Sequence, residues 1–237
     1  MIYVGALLLV GFLVAIHEFG HFVAGRMMGV PISVFSIGFG PRVAGFTWGQ
    51  TDVRLSLIPL GGYVLPDIAD EEEYFRLGAK ARMVFSMGGP LANFLTAIPL
   101  IALINVLSGQ VSVFQLLIAP VVQAAEMFVL FLVSIPMVFS HPQEVSSVVG
   151  MVAGGGQIMS QGVVAALKFA VVISLNLAIF NLLPLPPLDG GKLMLDTLEY
   201  LSPKLARAYI PACVFGWVLL IGLMIYATAN DIARLSA

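Results

Sequence analysis

The sequence predicts an all-α polytopic membrane protein, with about four transmembrane helices, a small membrane-associated β region and one extra apolar segment that is interfacial or re-entrant. Three observations carry that expectation. Of 237 residues, 59% are hydrophobic and only 10% are charged, where a soluble globular domain has about 25% charged residues. Apolar runs of spanning length recur at roughly 2–24, 83–107, 113–139, 163–186 and 208–229. Most of the Lys and Arg fall in two connections, and none falls between Met83 and Leu167.

No basic residue precedes Arg26, and the run before it is too long for the apolar part of a signal peptide, so it reads as a retained span. Arg26, Arg42, Arg54, Arg76, Lys80 and Arg82 fill the connection at 26–82, and Lys192, Lys204 and Arg207 lie between the fourth and fifth runs. By the positive-inside rule both connections are cytoplasmic and 108–162 is mostly external. Within 26–82, Val34 to Pro41 and Val53 to Ile58 are β-rich, and Gly61 to Val64 extends the second run. Asp67, Asp70, Glu71, Glu72 and Glu73 then read as a solvated surface loop. His141, beside Pro142, reads as a surface-loop histidine with no metal role.

The run at 113–139 contains Pro120, Pro136 and Glu126. If it crossed, the fourth run would reverse and carry its C-terminal end away from the side marked by Arg26. The expected arrangement is therefore four spans, with this segment lying along or dipping into the external face. Its 27 residues are also long enough to cross once, giving five spans. The whole chain, 1–237, reads as one domain.

Inside the first run stands His17-Glu18-Phe19-Gly20-His21. Two histidines at i and i+4 share a helix face and can bind one zinc ion, with Glu18 placed as the base for the attacking water. Ionisable side chains in hydrocarbon are costly, so such a set is by default a functional site. A catalytic zinc takes three protein ligands, and Asp189 is the strongest third. It closes Asn181-Leu182-Leu183-Pro184-Leu185-Pro186-Pro187-Leu188-Asp189, where three prolines break the helix and Gly190-Gly191 lets the chain turn. Asn181, eight residues earlier, is placed to hydrogen-bond a substrate carbonyl; Asn176 is a weaker candidate. Asn93 reads as a helix-to-helix tie. Tyr63 suits an interfacial anchor as well as a substrate contact. The net charge of −2 gives no reason to expect nucleic acid, and the single Cys213 excludes an intramolecular disulfide and a cysteine zinc site.

The two long motifs together resemble the site-2 protease family of intramembrane zinc metalloproteases, and most closely its bacterial regulator-of-sigma-E protease branch. Phe35 to Gly40, Ile58 to Val64, Gly89-Pro90-Leu91-Ala92-Asn93 and Asn230 to Arg234 add to the likeness. The resemblance implies Zn2+ on His17, His21 and Asp189, with Glu18 as base. It implies that Asn181 positions substrate, that Asn176 takes part, and that a β edge including Gly61, Gly62 and Tyr63 holds substrate by strand addition. The partners it implies are the lipid bilayer and transmembrane protein substrates, single-span segments like those of anti-sigma factors or signal peptides, cut in regulated intramembrane proteolysis. The setting it implies is the bacterial cytoplasmic (inner) membrane, with the active site toward the cytoplasm. One departure stands out: 108–162 leaves no room for the PDZ domains of that branch, so access is gated another way or by a regulatory partner. Two other readings use the same residues, a membrane binding protein that escorts spans and a metal transporter. Intact Glu18 argues against the first, and the clustering of ionisable groups at one site argues against the second.

Overall fold

The computed structural model describes residues 2–140, 147–201 and 209–236. His141, Lys204 and Arg207 lie outside them. α1 (Ile2–Met27) is followed by β1 (Ile32–Trp48), β2 (Thr51–Pro66), the short α2 (Glu71–Arg76) and α3 (Ala79–Leu107). After a π-helical turn at Phe114–Ile118 come α4 (Ala119–Ser140), α5 (Val148–Met159), α6 (Val163–Asn181), α7 (Asp189–Leu201) and α8 (Tyr209–Ser236).

Among the described residues five helices are long and apolar enough to cross a membrane: 2–27, 79–107, 114–137, 163–181 and 211–234. The segment expected at the external interface is one of these. Pro120 directly follows the π-helical turn with which α4 is continuous, Pro136 lies near the end of α4, and the helix runs through both. α4 runs back along α3. Asn105 Nδ2 donates to the Gln115 carbonyl at 2.9 Å, and further along the Phe94 and Phe128 rings meet edge to face at 5.4 Å. Ala124 is buried among Ala97 and Ile101 of α3 and Val171 and Leu175 of α6. α5 lies near the start of α1, with Gly156 against the Tyr3 ring. α6 therefore begins at that end and runs toward the histidines, so Asp189 arrives on their side.

The core of the bundle is α1 against α3 and α6. Val10 and Leu13 pack on Phe169, Ala170 and Ile173. α1 and α3 approach very closely, because a Cβ on Gly20 would stand 2.2 Å from the Gly88 carbonyl oxygen. Small residues permit such an approach where lipid gives no hydrophobic drive between helices. Exposed apolar side chains on α1, α4 and α8, such as Phe12, Leu130 and Phe215, suit contact with lipid.

β1 and β2 fold into one sheet, as their β-rich composition predicts. Each strand bends, at Gly38 (φ 90°) and Gly61 (φ 106°), where a side chain would be strained. Residues 42–48 then pair with 51–56 as a hairpin, while 32–37 pair with 62–66. The sheet sits on α1 through stacked Phe22 and Phe35 rings, 5.2 Å apart. The acidic cluster is more ordered than a loop. Asp70 caps α2 by accepting from Glu73 N at 2.8 Å, and Glu73 reaches back to Ala69 N at 2.8 Å.

α7 is fixed by a buried cation. Arg82, 1% exposed, donates from Nε to Asp196 at 2.9 Å and also pairs with Glu199. It donates to the Phe75 carbonyl at 3.0 Å as well, closing the end of α2. Burial pushes the Asp196 carboxyl up, against the pull of the guanidinium. Removing the cation leaves that carboxylate stranded. Arg82→Met is expected to lower stability by about 3–5 kcal/mol, read as an earlier midpoint when the purified protein is titrated from mild detergent into SDS. A midpoint equal to that of the unaltered protein would contradict this role.

Candidate metal centre

Helical spacing puts His17 and His21 one turn apart on the buried face of α1, with Nε2 atoms 3.2 Å from each other. Asp189 is the first residue of α7, and its Oδ2 lies 3.0 Å from His17 Nε2 and 3.1 Å from His21 Nε2. All three residues are buried. Their near-equilateral triangle suits one tetrahedral zinc ion, whose bonds of about 2.0–2.1 Å place neighbouring ligand atoms roughly 3.3 Å apart.

The surroundings fit the ion as well. A Cβ on Gly89 of α3 would lie 2.4 Å from His21 Nε2 and 2.5 Å from His17 Nε2, so this glycine keeps the triangle open. His21 Nδ1 is 2.7 Å from the Phe85 carbonyl. A carbonyl only accepts, so Nδ1 carries the proton and the neutral ring keeps its Nε2 lone pair for a metal. Lys192 Nζ lies 3.5 Å from Asp189 Oδ1 and balances the carboxylate from the side away from the histidines.

Gly190 and Gly191 do not make the tight turn expected of them, because both are helical, in the first turn of α7. Their use is close packing. A Cβ on Gly190 would meet the Leu182 carbonyl at 2.1 Å, and one on Gly191 would meet Pro186 N at 2.2 Å. The proline-rich break is thereby folded tightly against the helix that carries Asp189.

A cavity of about 380 Å³ opens on the triangle, lined by His17, Glu18, His21, Asn181, Asp189 and Trp217 among others. Glu18 and Asn181 thus share one space with the three candidate ligands. Asn181 Nδ2 donates to the Leu177 carbonyl at 2.9 Å, which holds the amide at the cavity wall. β2 passes beside Glu18, since a Cβ on Gly62 would lie 3.2 Å from Glu18 Cγ. Gly61 faces Phe39 and Val14 next to it. Of the expected residues, Gly61, Gly62, Asn176 and Tyr63 do not line the cavity. Asn176 Nδ2 donates to the Val172 carbonyl at 2.9 Å. Tyr63 stacks on Phe39 and accepts from Arg54 at 2.6 Å, as part of the sheet.

The profile of Peptidase family M50 matches residues 5–225. The chain belongs to this family. A protein of Helicobacter pylori, named as an inferred zinc metalloprotease, is 40% identical over 106 residues, which cover 40% of this chain and 30% of the relative. Similarly named proteins of Agrobacterium fabrum and Clostridium perfringens align end to end. The first is 25% identical over 97% of this chain and 95% of the relative, the second 22% identical over 96% and 97%. The chain thus spans under a third of the Helicobacter protein. The Agrobacterium alignment runs over 363 positions, so that relative carries long insertions which this chain lacks.

Family membership accords with the site-2 protease resemblance and with zinc as the metal. Phe85, Gly89, Asn93, Lys192 and Trp217 escaped the sequence reading of this site. The first three recur at four-residue spacing, the sign of one helix stripe, and Lys192 is one turn beyond Asp189. Gly89→Ala is expected to cost the protein its zinc while leaving it folded. Metal content per chain by mass spectrometry, with a melting curve as control, checks this; full zinc in the variant would contradict the packing argument.

Proposed function

We propose that this chain is a zinc-dependent intramembrane endopeptidase that hydrolyses peptide bonds within transmembrane segments, in regulated intramembrane proteolysis. One observation carries the reading. His17, His21, Asp189 and Glu18 share a cavity inside a bundle of helices long enough to cross a membrane.

Zinc, when bound by His17, His21 and Asp189, supplies a Lewis acid that makes a water nucleophilic near neutral pH. Glu18 takes the proton of the attacking water and passes it to the leaving amine. Asn181, on the same wall, donates to the carbonyl under attack as charge builds on its oxygen. A helical substrate hides its peptide bonds in its own hydrogen bonds, so it must unwind first. β2 supplies the template. Residues 62–66 pair with β1 along one edge, and no strand occupies the other among the described residues. An extended segment added there, with Gly61, Gly62 and Tyr63 in the strand, runs past Glu18.

The substrates are single-span membrane segments, and the setting is the bacterial cytoplasmic membrane with the site toward the cytoplasm. Arg26 and Lys80 support that orientation, standing at the histidine-side ends of α1 and α3. With helices rather than a PDZ domain at 114–140 and 148–159, a partner protein is a fitting regulator of access.

Cleavage of a single-span model substrate in liposomes tests the reading. Glu18→Gln is expected to lower the rate by about 10²–10⁴-fold at unchanged zinc content. Equal product from both proteins would assign the activity to a contaminant. Gly62→Val, which pushes on Ser36 and Glu18, is expected to slow cleavage while zinc content holds; an unchanged rate would remove β2 from the substrate path.

A further inference from the structure

His21 has a clear outer partner in the Phe85 carbonyl, and eight residues further along the same face of α3 stands Asn93. Its side chain is fully buried and lies against the other histidine, with the amide 3.2 Å from His17 Nδ1. Its backbone is held in place by Ser174 of α6, whose hydroxyl donates to the Asn93 carbonyl at 2.8 Å. With the amide nitrogen turned toward the ring, Asn93 Oδ1 is buried with no hydrogen-bond partner. The two ends of an amide are distinguished by their hydrogen-bond network. Turning the amide over gives Oδ1 the His17 Nδ1–H as donor and leaves Nδ2 in the position without a partner, so the choice between the two falls to the state of His17 that a metal requires.

We propose that Asn93 is the positioning residue of His17, its side-chain carbonyl accepting the Nδ1–H and so presenting the Nε2 lone pair to the metal. The inference rests on the zinc reading above. Metal-binding histidines generally give their second N–H to such an acceptor, which sets both tautomer and ring orientation. Here α3 serves both rings from one stripe: Phe85 for His21, Asn93 for His17, and Gly89 between them leaving space for the ion. The nitrogen-inward arrangement instead places the His17 proton on Nε2, toward Asp189, and blocks that ligand position.

Zinc affinity of the detergent-purified full chain, by competition with a chromophoric chelator, tests the assignment. Asn93→Leu keeps the volume and removes the acceptor; it is expected to weaken zinc binding by about 10–100-fold. Asn93→Asp keeps an acceptor and loses the donor, so its affinity is expected to stay within about threefold of the unaltered protein or to exceed it. Melting of the zinc-stripped proteins separates this from general damage, since loss of a mere helix tie would lower that melting temperature and leave affinity alone. Leu equal to the unaltered protein, or Asp as weak as Leu, overturns the inference. If the Leu protein does not fold, Asp decides, and a tenfold loss there counts against. An unaltered protein that binds no zinc defeats the zinc reading and this inference together; one that binds zinc beside an unaffected Leu variant defeats this inference alone.

Discussion

The close approach of α1 and α3 at Gly20 and Gly88 is the constraint on which the rest of the molecule depends. Each glycine leaves the other's carbonyl oxygen where a Cβ would stand, 2.2 and 2.4 Å from the ideal position. Packed helix axes commonly stand about 8–10 Å apart, depending on the side chains at the contact, and glycine on both sides brings these two backbones into contact. With the backbones this close, Phe85, Gly89 and Asn93 fall directly on the face that holds His17 and His21. One helix carries the candidate ligands, and its neighbour shapes the space around them.

The third candidate ligand comes from a different kind of structure. Three prolines end α6, and the chain doubles back before α7 starts at Asp189. Irregular backbone at this depth must be covered by protein, and Gly190 and Gly191 let α7 pack directly on it. The other end of α7 is fixed by Arg82, reaching Asp196 and Glu199 from the first turn of α3. α3 therefore orients both halves of the site. The sheet then adds the one element that helices cannot provide, a strand edge beside Glu18 with which no strand pairs among the described residues.

Much of this was legible in the residues. The H-E-x-x-H set carries its own geometry, because helical spacing alone brings His17 and His21 together, and Asp189, which alone reads as part of a turn, becomes a third candidate ligand only beside that set. The strands at 34–41 and 53–58 followed from β-branched composition and the Gly-Pro step. What escaped was what depends on neighbours. The role of Gly89 is visible only once α1 is packed against it, and Asn93 looked like any amide tying two spans. α4 is long and apolar enough to cross, which is the five-span alternative, and its continuity through Pro120 depends on the π-helical turn before it, which composition does not show. The acidic cluster carried a legible sign, Asp70 followed by Glu73, that its charge obscured. Asn176 and Tyr63 find their partners in their own helix and sheet, which spacing along the chain does not show.

The central claim is that residues about 170 positions apart form a single metal site, and X-ray absorption at the zinc edge of the purified, active protein tests it most directly. The account predicts two imidazoles and light oxygen donors at about 2.0–2.2 Å, with no sulfur. One imidazole alone, or a sulfur neighbour near 2.3 Å pointing to Cys213, would contradict it.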